Sequence, residues 1–145
     1  MLNIAQYCAH GLVTSILSPI PIGQSTKKVL VADDQAAGRE LIRTILEHSG
    51  HAVWEACDGT EAVRFASEIL PDLILLDLHM PMLDGFEVIK ELRSRRKLAR
   101  TPIVALTASA MRGDRERALS AGFTSYISKP ISLRALRTEL ERWLG

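Results

Sequence analysis

Residues 73–85 read LILLDLHMPMLDG, and the division of that stretch decides the fold. Leu73 to Leu76 is a near-continuous apolar run, which suits a strand buried on both faces of a sheet better than one with a wet face. Asp77 closes the run. Seven residues on, Asp84-Gly85-Phe86-Glu87 resembles a capping box, opening a helix whose inner stripe is Phe86, Ile89 and Leu92. A buried strand followed by a helix predicts a parallel crossover.

The same alternation runs outward in both directions. Val29 to Ala32, Ala52 to Ala56, Ile103 to Leu106 and Ser125 to Ser128 read as four further strands, separated by stretches of helical period. The first helix carries Leu41, Ile42, Ile45 and Leu46 and is closed by Gly50. The second carries Ala62, Val63, Ala66, Ile69 and Leu70 and is stopped by Pro71. Ser132 can cap the fifth, where Leu133, Leu136, Leu140 and Trp143 or Leu144 are expected to face inward. The fourth, about Met111 to Ala121, has only Ala118, Leu119 and Ala121 to bury and is expected to be loosely held. Five strands with long helical connections predict an α/β fold with a doubly wound parallel sheet.

Composition bounds the function. In 145 residues, 47% are hydrophobic and 24% charged, which suits one globular domain. The net charge of +1 supplies no overall field toward nucleic acid or anionic lipid. Cys8 and Cys57 are too few for a disulfide framework and lack zinc-ligand spacing, so a reduced, cytoplasmic protein is the expectation. The basic run Lys90, Arg93, Arg95, Arg96, Lys97 and Arg100 has no interleaved aromatics and lies toward a helix end, where cations complement the dipole. It reads as a solvated helix end, with no direct DNA binding.

All 35 charged residues lie after residue 26, which divides the chain into an uncharged extension, 1–26, and a domain, 27–145. The extension lacks the basic start of a secretory signal and has no apolar run long enough to span a membrane. Leu2, Ala5, Ala9, Leu12 and Ile16 have helical spacing, and Ser18-Pro19-Ile20-Pro21 would end such a helix. A helix packed on its own domain, or residues added by a misassigned start, is favoured over self-association through residues 1–26. Two of the five stripe residues are Ala, and Gly11 weakens the helix.

The chemistry gathers at strand ends. Asp33 and Asp34 follow the first strand and Asp77 the third, and in an open parallel sheet the crevice outside the carboxyl ends binds ligands. An acid at a strand end is by itself a turn former. Three together favour a shared hard cation such as Mg²⁺, because close like charges raise one another's pKa unless a cation lies among them. Thr107 and Lys129 reach the same rim from the fourth and fifth strands. A divalent cation, a hydroxyl and an ammonium around one Asp are what phosphoryl transfer needs, with Asp77 as nucleophile.

The motifs VLVADD (29–34), LILLDLHMPMLDG (73–85), PIVALTA (102–108) and YISKP (126–130), in this order, resemble the receiver domain of bacterial two-component response regulators, from about Lys28 to Leu144. The resemblance implies the flavodoxin-like strand order 2-1-3-4-5 and a single-domain, chemotaxis-regulator-like protein. It implies that Asp77 accepts a phosphoryl group from a sensor histidine kinase or a histidine phosphotransfer protein. Asp34, Asp77 and the backbone carbonyl of His79 would ligate Mg²⁺ or Mn²⁺, with Asp33 acting largely through water. Lys129, before a Lys-Pro bond that is typically cis, would pair with the phosphoryl oxygens. Thr107 would move toward them, and Tyr126 would change its exposure, coupling the site to the surface of the fourth helix, fifth strand and fifth helix. The chain would catalyse only its own phosphorylation and dephosphorylation. By the same resemblance, His79 and Ser109 would occupy positions that in the family tune access of the hydrolytic water.

With no output domain expected beyond Gly145, signalling is expected through a downstream protein target or a phosphorelay. Two rivals stand beside this. A Mg²⁺-dependent phosphatase would want two acids flanking one residue after a strand, which Asp77-Leu78-His79 does not supply. A receiver-fold module acting without phosphorylation would not need the full acid site. Nucleotide binding lacks its glycine-rich signatures.

Overall fold

The structure is a computed structural model, and it describes residues 26–108 and 112–145. The helix and self-association readings of residues 1–26, and the role of Ser109, lie outside the described residues, residue 26 excepted.

The described chain alternates strand and helix from end to end. The strands are β1 (Lys28–Ala32), β2 (Ala52–Ala56), β3 (Leu73–Asp77), β4 (Ile103–Thr107) and β5 (Ser125–Ser128). The helices are α1 (Ala36–His48), α2 (Gly59–Ile69), α3 (Gly85–Ser94), α4 (Arg112–Ala121) and α5 (Leu133–Leu144), with a single 3₁₀ turn at Arg96–Leu98. All strand pairs are parallel, in the order β2-β1-β3-β4-β5. This is the flavodoxin-like order the resemblance implied.

The near-continuous apolar strands have a simple physical cause: alternate residues feed two separate cores. Leu30, Ile74, Leu76 and Ala105 pack with Ala62, Ala66, Val88, Ile89 and Leu92 of α2 and α3. Val29, Val31, Leu75 and Val104 pack with Ile42, Leu46, Leu136 and Leu140 of α1 and α5. In β1, β3 and β4 every residue but Lys28 is buried. Only a sheet covered on both sides produces that pattern.

Helix ends follow their capping residues. Asp58, Asp84 and Ser132 each accept a hydrogen bond from the amide three residues on, satisfying donors that the first turn leaves open. Gly50, at φ 89°, follows the end of α1. Pro71 does follow α2, but Leu70 is its left-handed C-cap and is exposed, not part of the buried stripe. Leu41 and Leu133 were also expected inside and are 50% and 46% exposed. The stripe widths were overestimated by one residue because neighbouring helical positions diverge by about 100°.

Arg93 corrects the reading of the basic run. Its guanidinium, half-buried, donates to the carbonyls of Gly122, Leu98, Ala99 and Thr101 at 2.7–3.2 Å. It fastens the end of α3 to the chain before β4 and to the residue after α4, while Lys90, Arg95, Arg96, Lys97 and Arg100 are exposed as expected. Among the described residues no helix is long and apolar enough to cross a membrane.

Candidate functional site

At the carboxyl ends of the strands the sheet stops being apolar. Asp33, Asp77 and Thr107 are buried there, at 1%, 4% and 3% exposure, whereas Asp34 is exposed. Asp33 and Asp34 leave β1, and Asp77 ends β3, the strand paired beside it. Parallel register therefore brings acids 44 residues apart into one cluster: ligand oxygens from all three carboxylates lie within 4.8 Å of one another. An all-oxygen set of that spacing fits a hard divalent cation.

Each buried carboxylate is held on both oxygens. Oδ1 of Asp33 accepts from the Gln35 amide, and Oδ1 of Asp77 accepts from the His79 amide, both at 2.9 Å. Lys129 reaches in from the end of β5 and places Nζ 2.9 Å from Oδ2 of both acids. The Lys129–Pro130 peptide is cis, as the resemblance implied. The Lys129 amide donates to the Thr107 carbonyl at 2.7 Å, which joins the ends of β4 and β5 beside the acids.

Burial pushes the Asp77 carboxyl above its usual value, and the neighbouring Asp33 charge adds to the rise against the pull of the His79 amide and Lys129. Burial also works against the Lys129 charge, yet its bonds to Asp33 and Asp77 outweigh it and hold the ammonium above its usual value. Among the described residues, such a site sets three carboxylates against the one ammonium bonded to them. A second cation is its natural complement.

Gly85 shows how closely the next helix approaches. A Cβ there would stand 2.6 Å from the Asp77 carbonyl oxygen and from Cα of Leu78, so the start of α3 packs directly on the strand end. His79, in the intervening loop, is exposed.

Tyr126 is half-buried in β5, packed against the core, with the Arg115 guanidinium of α4 5.4 Å from its ring centroid. It borders a cavity of about 540 Å³ between α4, β5 and α5 that also touches Leu119, Ser128 and Arg142. Glu139 lines the same cavity and is buried, unexpectedly for an acid. Its oxygens accept from Ser125 Oγ and Trp143 Nε1.

Two features of the rim escaped the sequence. Arg39, in the first turn of α1, donates to the Asp33 carbonyl at 2.6 Å; in the sequence it is one surface charge among many. Cys57, Asp58 and Glu61 form another close group, but the Cys57 thiol donates to Glu61 and Asp58 caps α2, so both acids are used locally. The bond to Glu61 also pushes the thiol above its usual value.

Comparison with known proteins agrees with this geometry. Residues 29–141 match the response regulator receiver domain family. The polar-differentiation response regulator DivK of Brucella ovis is 39% identical over 120 residues, which are 83% of this chain and 98% of DivK. The receiver domain of a sensor histidine kinase from Pseudomonas aeruginosa, solved with a magnesium ion coordinated in its active site cleft, is 37% identical. Its TM-score is 0.77, covering 83% of this chain and 99% of that one. A second similar structure is a co-crystal of the Saccharomyces cerevisiae histidine phosphotransfer protein Ypd1 and the receiver domain of its downstream response regulator Ssk1. The matched chain is 31% identical with a TM-score of 0.76, over 82% of this chain and 89% of that one.

Proposed function

The chain belongs to the response regulator receiver family, a family of signalling modules, and from that premise we propose that Asp77 accepts a phosphoryl group from a phosphohistidine. The donor is a sensor histidine kinase or a histidine phosphotransfer protein. A carboxylate oxygen of Asp77 bonds to phosphorus as the phosphorus–nitrogen bond of the donor breaks, and the departing imidazole nitrogen takes up a proton. The observation that carries this reading is the placement of Lys129 Nζ at 2.9 Å from both Asp33 and Asp77, with Asp34 beside them. An ammonium so placed can follow charge from the carboxylate to the incoming equatorial oxygens.

Asp33, Asp34, Asp77 and the His79 carbonyl are the groups that would hold Mg²⁺ or Mn²⁺, which when bound supplies neutralisation of the negative charge gathered at the site. Thr107 then hydrogen-bonds a phosphoryl oxygen, and Tyr126 changes exposure in response. The added charge, roughly −1.5 to −2, creates bonds that exist in only one arrangement of the loops and so shifts a population. The signal leaves through the face of α4, β5 and α5 to a downstream protein, in the cytoplasm.

Intact mass after incubation with acetyl phosphate and Mg²⁺ tests the proposal. One phosphoryl group should be gained by the wild type and none in EDTA or in Asp77→Asn. No gain in the wild type would favour a module that binds partners without phosphorylation.

A further inference from the structure

We propose that Arg39 is a positioning residue for the divalent-cation site, acting through the peptide that joins Asp33 to Asp34. The inference rests on the function proposed above. Arg39 Nη1 donates to the Asp33 carbonyl oxygen at 2.6 Å. That oxygen belongs to the planar unit whose N–H is that of Asp34, so holding it fixes the plane from which the Asp34 side chain departs.

The two acids are secured differently. The Asp33 carboxylate has the Gln35 amide on one oxygen and Lys129 on the other, and it lies against α1 at Gly38, where a Cβ would stand 3.3 Å from Oδ2. Asp34 is exposed and depends on its backbone for direction. The bond from Arg39 supplies that direction.

Arg39 is itself paired with Glu55 by charge, without a hydrogen bond from its buried Nε. Its Nε lies 3.4 Å from Glu55 Oε1, while Arg43 Nη1 holds Oε2 of the same carboxylate at 2.9 Å and Arg43 Nε reaches Glu47 at 3.3 Å. Glu55 is in β2, in register with Val31 of β1, so the guanidinium spans from the sheet edge to the loop after β1. The side chains of Arg39 and Glu55 are 17% and 14% exposed, which shields their pairing from salt more than a surface pair. A planar guanidinium with several donors can address a carbonyl and a carboxylate together; a lysine ammonium on its flexible stem is a poor substitute. Residues that orient metal ligands from behind typically contribute about 10–100-fold in affinity.

The test is Mn²⁺ binding to the full chain, read from the electron paramagnetic resonance signal of free Mn²⁺, with urea unfolding in EDTA measured beside it. Arg39→Gln should weaken binding about 10-fold. Arg43→Gln, which also loses a pair to Glu55 but does not touch Asp33, should stay within about twofold of wild type at a comparable loss of stability. Wild-type affinity in Arg39→Gln, or an equal loss in Arg43→Gln, would overturn the inference while leaving the cation site standing. Absence of Mn²⁺ binding to the wild type would overturn the proposed site and this inference with it. If Arg39→Gln does not fold, Arg39→Lys decides: affinity at least about threefold weaker supports the role, and unchanged affinity refutes it.

Discussion

Helices α3 and α4 are both ten residues long and touch one another, yet they are held by different means. Helix α3 buries Val88, Ile89 and Leu92, is capped by Asp84, and ends in Arg93 with its carbonyl partners. Of the described side chains of α4, only Ala118 is fully buried. Ala121 packs partly buried against the core and Arg93 holds the Gly122 carbonyl just beyond the helix, while Arg115 lies over Tyr126 and Arg117 over Phe86, at 5.4 and 4.2 Å. Such contacts contribute about 0.5–1 kcal/mol each at exposed sites. Moving a two-state element from 1:99 to 99:1 takes about 5.5 kcal/mol, so if Asp77 is phosphorylated as proposed, α4, with its smaller buried face, is the helix that the added bonds would shift before α3.

The contrast can be broken most easily at Leu92. Leu92→Ala removes a fully buried side chain of α3 and should cost about 2–5 kcal/mol in urea unfolding. A loss below about 1 kcal/mol would show that the α3 core collapses around the gap and that burial does not explain its rigidity. Arg93→Ala sharpens the comparison, because this side chain fastens both helices. With its carbonyl partners left open, stability should fall by about 1.5–3 kcal/mol, and amide exchange should accelerate at the C-terminal end of α4 as well as in α3. Acceleration in α3 alone would mean that α4 does not rely on this anchor. The smallest effect belongs to α4 itself: Leu119 is 42% exposed, and Leu119→Ala should stay within about 0.5 kcal/mol of wild type. A larger loss would place further anchoring in α4.

The sequence made the strands legible because burial on both faces forces unbroken apolar runs such as Leu73 to Leu76. It made the acids legible because Asp33, Asp34 and Asp77 stand immediately after such runs. It was poorer at helix boundaries: Leu41, Leu70 and Leu133 have the right spacing and are exposed, since periodicity defines a stripe's centre better than its margins. Arg93 reads as solvated in the sequence because its partners are backbone carbonyls, which have no residue signature. Glu139 is similar, with one partner, Ser125, fourteen residues away.

What the sequence determined by itself was therefore the alternation of strands and helices, the acids at strand ends and the narrow buried face of α4, all consequences of local pattern. What only the tertiary structure decided was which charges meet. Lys129 joins Asp33 across 96 residues, and Arg39 meets the charge of Glu55 from a neighbouring strand. The physical reason is that a charge or a carbonyl finds its partner through strand order and register, and these are set by packing the whole sheet between its two layers of helices.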